Sequence, residues 1–171
     1  SKNEIWGGSG DDLIEGAGGG DRLFGGAGFD TLSYENIQYT VIIKFHNNFQ
    51  TAGSAAGDYV REFEAVIGSQ GGDILETEAG DNRIEGLDGD DEIDGREGND
   101  ELIGGEGNDE YRFSANFGND YIFDELGSND EIYFNISNLN LADFYFSRLD
   151  NDLLIDIDGL TDNIVVDGHF D

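Results

Sequence analysis

Aspartate recurs in this chain at a spacing that suits cation binding. The stretch GGSGDDLIE, residues 7–15, has Gly at positions one, two and four, Asp at position six and an aliphatic residue at position eight. GAGGGDRLF follows from residue 16 and GGAGFDTLS from residue 25. The period resumes at residue 68 as GSQGGDILE, TEAGDNRIE, GLDGDDEID, GREGNDELI and GGEGNDEYR. The sixth position reads Asp12, Asp21, Asp30, Asp73, Asn82, Asp91, Asp100 and Asp109, and degraded copies put Asp120 and Asp130 in the same role. A carboxylate repeated beside glycine-rich backbone offers charge and carbonyl oxygens together, the donors from which Ca2+ assembles a shell of roughly six to eight. Two carboxylates ~4 Å apart repel by about 4 kcal/mol at an effective dielectric of about 20, and a divalent cation between them turns that repulsion into attraction.

Such carboxylates need elements that stack them. A nine-residue unit reads as six residues of turn followed by three of strand: glycine permits positive φ in the turn, and the eighth side chain of the strand points inward. Ile14, Leu23 and Leu32, and then Leu75, Ile84, Ile93, Leu102 and Tyr111, form the inward column. Two units make one coil of a solenoid, so turns two units apart share an edge, and Asp12 comes near Asp30 as Asp91 comes near Asp109.

The composition demands such an ion. The 171 residues carry 39 Asp and Glu against 8 Lys and Arg, a net charge of −31, with 27 Gly and no Pro, Cys or Met. Self-repulsion at this density opposes compaction, yet 12 Phe and 7 Tyr are too many for a solvated tail. A chain disordered until it binds cations reconciles the two. The absence of cysteine excludes disulfides, thiolate metal sites and cysteine nucleophiles. The acidic charge argues against a nucleic-acid partner. No run approaches the ~20 apolar residues of a membrane span, and SKNEIWGG lacks the regions of a signal peptide. SKNEIW instead fits the end of a preceding repeat, with Asn3 sixth and Ile5 eighth, so the chain is expected to come from something longer.

These copies resemble the G-G-x-G-x-D-x-U-x nonapeptide of the repeats-in-toxin (RTX) family, over residues 1–34 and 68–134. The resemblance implies an all-β fold, a calcium-bound parallel β-roll in two repeat blocks, and export by a type I secretion system. It gives each ion the sixth-position residues of two stacked turns, with carbonyls one and three of the earlier turn and two and four of the later. The implied sets are Gly7, Ser9 and Asp12 with Gly26, Gly28 and Asp30, and Gly68, Gln70 and Asp73 with Leu87, Gly89 and Asp91. Next come Thr77, Ala79 and Asn82 with Arg96, Gly98 and Asp100, and Gly86, Asp88 and Asp91 with Gly105, Gly107 and Asp109. Gly95, Glu97 and Asp100 with Gly118 and Asp120 complete the list, while Asp21 and Asp130 belong to the truncated first and degenerate last turns. About five ions are expected, within a range of about four to seven. Asn82 for Asp and Thr77 for Gly should weaken their site.

Residues 35–67 break the period. YTVIIKF and YVREFEAVI read as strands that continue the roll around a protruding loop, TAGSAAGD. Residues 135–171 form a β-rich cap with strands FYFSR, LLIDI and NIVV, whose aromatics Phe144, Tyr145, Phe146 and Phe170 are expected to cover the open end. This flank is similar to the one that follows the last repeats in RTX haemolysins.

No residues stand out for catalysis. His46 and His169 are 123 positions apart and read as surface or cap residues. The periodic carboxylates read as metal ligands rather than a glycosidase pair. DGDDEIDG is no EF-hand loop, because position twelve from Asp88 is Asn99 where Glu is needed. Aspartates beside the turns repel phosphate, Trp6 reads as a strand residue, and the NIS sequon at 135 reads as a chance match. The expected protein is a monomeric, non-enzymatic calcium module of a secreted bacterial toxin, lying outside the cell or on its surface. A giant adhesin, or the accessory roll of a secreted hydrolase or epimerase, remains open as the parent.

Overall fold

The computed structural model describes residues 2–45, 53–123 and 129–168. His46, His169, Phe170 and the first two residues of TAGSAAGD lie outside them. In chain order the strands are β1 (Glu4–Ser9), β2 (Leu13–Glu15), β3 (Arg22–Ala27), β4 (Thr31–Ser33), β5 (Ile42–Lys44), β6 (Tyr59–Arg61), β7 (Ala65–Ile67), β8 (Ile74–Glu76) and β9 (Arg83–Asp88). They continue as β10 (Glu92–Asp94), β11 (Glu101–Glu106), β12 (Glu110–Phe113), β13 (Asn119–Phe123), β14 (Glu131–Phe134), β15 (Phe144–Leu149), β16 (Asp152–Ile157) and β17 (Asn163–Val166). One short 3-10 turn, Leu141–Asp143, precedes β15, and no helix among the described residues is long and apolar enough to cross a membrane.

Successive repeat strands fall on opposite faces of a flattened parallel roll. One face is a nine-stranded sheet in the order β15-β16-β17-β13-β11-β9-β7-β4-β2. The other is divided into β1-β3-β6 and β14-β12-β10-β8-β5. Within the blocks the register advances by one coil at a time: Leu102 lies beside Ile84, and Ile93 beside Leu75. Each pairing superimposes eighth positions, so Leu23, Leu32, Leu75, Ile84, Ile93 and Leu102 are wholly buried in one column between the faces. Strands β2, β4, β8 and β10 are three residues long, whereas β1, β3, β9 and β11 run on into the following turn; each turns its eighth-position side chain toward the thin interior.

The interruption departs from a simple continuation. YVREFEAVI is two strands on opposite faces, β6 and β7, separated by a turn in which Glu62 has φ 61°. Beyond β4 the chain first lays β5 against β8, and only then returns to lay β6 against β3. Strand order is inverted there, and the divided face parts between the two. A cleft of about 310 Å³ opens near this division, lined by Phe45, Val60, Arg61, Phe63, Gly80 and Asn82 among others.

The C-terminal strands lie where LLIDI and NIVV were expected, but they extend a face rather than lid the end. β17 adds to β13 in parallel, and β16 and β15 follow antiparallel. Ile155, Ile157 and Ile164 join the core. Phe144 packs on Phe134 with ring centroids 5.0 Å apart. Tyr145 and Phe146 are exposed, at 57% and 60%, because β15 is the outermost strand and alternation leaves no second layer over them. Their expected covering role is corrected accordingly.

Candidate metal centre

The turns starting at residues 7, 25, 86 and 104 begin in an extended stretch, and turns 7 and 25, and 86 and 104, pair along it. Gly8 lies beside Gly26 and Ser9 beside Ala27, as Leu87 lies beside Gly105 and Asp88 beside Glu106. The fourth-position N–H of one turn donates to the third-position carbonyl of the next: Gly10 to Ala27 at 2.8 Å, Gly80 to Glu97 at 2.6 Å, Gly89 to Glu106 at 2.7 Å and Gly98 to Phe117 at 3.1 Å. Position two takes positive φ in several of the turns. Glycine supplies it at Gly26 and Gly105, whereas Leu87 and Arg96 hold φ 84° and 67°, at a cost of about 1–2 kcal/mol each for a side chain in this region.

The sixth-position carboxylates form a ladder. One oxygen, Oδ1, accepts the backbone N–H of the sixth residue one coil earlier: Asp30 from Asp12 at 2.8 Å, Asp91 from Asp73 at 2.6 Å, and Asp109 from Asp91 at 2.9 Å. Asp100 accepts from Asn82 at 2.9 Å, Asp120 from Asp100 at 2.8 Å, Asp130 from Asp109 at 3.0 Å, and Asp21 from Asn3 at 2.7 Å. The other oxygen has no such partner. Five Oδ2 atoms, of Asp12, Asp30, Asp91, Asp100 and Asp109, are buried without a hydrogen bond. An unpaired buried acceptor costs about 1–3 kcal/mol, and more when charged.

These oxygens fold back over the first residue of their own turn. A Cβ placed on Gly7 would lie 2.6 Å from Asp12 Oδ2 and 2.6 Å from the Gly25 carbonyl. One on Gly68 would lie 2.5 Å from Asp73 Oδ2 and 2.7 Å from the Gly86 carbonyl, and Gly86, Gly95 and Gly104 likewise face Oδ2 of Asp91, Asp100 and Asp109. In the later turn of a pair, Gly26 and Gly28 sit against the Gly8 and Gly10 carbonyls, Gly105 and Gly107 against those of Leu87 and Gly89, and Gly98 and Gly118 against those of Gly80 and Gly98. The turns Gly7, Ser9, Asp12 and Gly26, Gly28, Asp30 are thus stacked, as are Gly86, Asp88, Asp91 and Gly105, Gly107, Asp109. Among the described residues no three carboxylate or histidine side chains converge. A cation held here would complete its shell from carbonyls, and the donor set of orphaned carboxylate oxygen plus turn carbonyl suits a hard ion.

The second block begins differently. Asp73 accepts from Ser69 N–H at 2.5 Å and Ser69 hydroxyl at 2.8 Å, as well as from Val41 N–H at 2.7 Å. The Asn82 amide donates to the carbonyls of Glu78, at 2.9 Å, and Gly80, while Thr77 hydroxyl donates to the Gly95 carbonyl at 3.0 Å. Arg96 reaches back to Glu76 through Nε at 2.7 Å. The Glu97 carbonyl accepts the Gly80 N–H, Gln70 N–H donates to the Ile37 carbonyl at 2.9 Å, and Ala79 lines the cleft beside Asn82.

Two ladder members went unrecognised in the sequence. Asp58 accepts the Asp21 N–H at 2.7 Å, and Glu64 Oε2 accepts the Asp30 N–H at 2.9 Å. GSAAGDYVR, residues 53–61, carries the signal: Asp58 is sixth and Val60 eighth, disguised by Ala56 at position four.

Burial pushes Asp91 up to about 8, with the charges of Asp73 and Asp109 adding to it. It likewise pushes Asp100 to about 7 and Asp120 to about 8. All three lie above their unfolded values. The ion-free roll therefore gains stability from their protonation that is complete below the ordinary carboxylate range and is lost as pH rises through about 7–8. Acidifying an ion-free sample from about pH 8 to about pH 4 is expected to increase its β-sheet circular dichroism. A level or falling signal in aggregate-free samples would contradict this.

Comparison with known proteins agrees with the nonapeptide reading. Residues 2–32, 67–102 and 76–111 match the family model of the RTX calcium-binding nonapeptide repeat (4 copies). No curated protein matches the chain. Among solved structures, the extracellular lipase LipA from Serratia marcescens is similar at 18% identity and a TM-score of 0.31, over 98% of this chain. The chain spans 36% of that lipase.

Proposed function

From a chain that carries RTX calcium-binding nonapeptide repeats, we propose a module that folds by binding Ca2+ between stacked turns, within a large secreted bacterial protein. The observation that supports this most directly is the set of five buried Oδ2 atoms without a partner, each in a turn whose Oδ1 is committed to the ladder or whose first glycine it overhangs. The ions we assign lie between turns starting at 7 and 25, 68 and 86, 77 and 95, 86 and 104, and 95 and 115. Every sixth-position residue of those turns, with the first- and third- or second- and fourth-position carbonyls, is a proposed ligand.

The parent we propose is a type I-secreted toxin. In a cytosol poor in free calcium the chain stays unfolded and threadable, and outside, where calcium modules work at about 10⁻⁴–10⁻³ M affinity, binding and folding become one event that resists backsliding. Catalysis would belong to another part of the parent.

Native mass spectrometry in saturating calcium tests the assignment. About five ions are expected, and Asp109→Asn should lower the number by about one, since it removes one of two carboxylate charges from its site. A chain that retains fewer than about three ions would contradict the turn pairing.

A further inference from the structure

Turn 16–21 stacks on the turn that ends at Asp58, and this pair differs from the others. Asp21 and Asp58 are both buried, yet neither has an orphaned buried oxygen. Asp58 accepts the Asp21 N–H on Oδ1 at 2.7 Å and the Tyr34 hydroxyl on Oδ2 at 2.6 Å. Tyr34 is wholly buried. A Cβ placed on Gly16 would fall on its ring and hydroxyl, whereas at the equivalent first position of the turn before, Gly7, it would fall on Asp12 Oδ2 and the Gly25 carbonyl. The phenol fills, in this coil, the space that borders an unpartnered carboxylate in others.

We propose that Tyr34 closes the Asp21–Asp58 turn pair to calcium, its hydroxyl standing where an ion would otherwise bridge two stacked carboxylates. The inference rests on the calcium reading of the remaining turns. It divides the ions into two groups, at either end of the roll, joined through a coil whose cohesion comes from protein donors. A phenol meets the requirement because it brings one directed donor and fills the gap with carbon. Burial, then the charges of Asp58 and Asp21, push its proton loss far upward, so it remains a donor. One calcium-independent turn pair thus lies between the ion assigned to the first block and those assigned to the second.

Ion counts on the intact chain by native mass spectrometry at saturating calcium test this, with circular dichroism as the check on folding. Asp58→Asn should leave the count unchanged, because no ion uses that carboxylate. Tyr34→Ala should raise it by one, and the double variant Tyr34→Ala with Asp58→Asn should return it to the wild-type value. Loss of an ion in Asp58→Asn overturns the proposal, whether or not Tyr34→Ala folds, as does a folded Tyr34→Ala with the wild-type count. Wild-type chain that binds no calcium overturns the calcium reading and this inference with it. Loss of an ion in both Asp109→Asn and Asp58→Asn overturns the Tyr34 assignment alone.

Discussion

In a calcium chelator at neutral pH the chain is expected to be expanded and largely without β-sheet signal, and calcium at about 1 mM is expected to produce a cooperative gain of that signal with compaction. The five buried Oδ2 atoms set the scale. At about 1–3 kcal/mol each they cost about 5–15 kcal/mol in the ion-free roll, the whole stability of an ordinary domain. The net charge of −31 adds repulsion along both edges, and a column of single aliphatic side chains offers little burial in return. Calcium removes the first penalty and reduces the second. The radius of gyration of the ion-free chain should approach the ~40 Å of an unfolded polypeptide of this length. Magnesium should substitute poorly, since it demands compact octahedral geometry and dehydrates reluctantly. Superimposable far-UV spectra in chelator and in calcium would end the conditional-folding reading.

Deleting residues 135–171 is expected to leave the repeats unfolded at calcium concentrations that fold the intact chain. The segment contributes no proposed ligand, so its effect must come through packing. β17 continues the nine-stranded face, with Asn163 N–H bonded to the Gly118 carbonyl at 3.0 Å and Asp167 N–H to the Ile122 carbonyl at 2.9 Å. Ile155, Ile157 and Ile164 are buried, and at roughly 1.5–3 kcal/mol each they account for about 5–9 kcal/mol. Phe144 closes a cluster with Phe113, Phe117 and Phe134. A solenoid of near-identical coils also lacks an internal point at which to begin, and a costly first coil needs a template. Asp12→Ala, far from the cap, should weaken its own site and leave the second block folded. A truncated chain with the calcium midpoint of the intact one would reduce the cap to a passive extension of the sheet.

The period of nine, the inward column and the sixth-position ladder were all legible in the residues, because each is a local demand repeated in register. Glycine permits the turn, one aliphatic residue fills the thin interior, and an aspartate at fixed offset must meet its counterpart one coil away. The three C-terminal strands were legible by their alternation. In the interruption the strand-forming runs were legible and their arrangement was not. Its strand order depends on β5 reaching β8 some 32 residues on, and on Tyr34 reaching Asp58 across 24, contacts whose value exists only when the roll is assembled. The exposure of Tyr145 and Phe146 was likewise decided by the edge position of β15 rather than by their own hydrophobicity. Sequence by itself determined that this protein stacks carboxylates on glycine-rich turns, since that follows from spacing. Only the tertiary structure decided which carboxylates keep an oxygen free and which are answered by a hydroxyl or a backbone amide, because donors distant in the chain settle that by proximity.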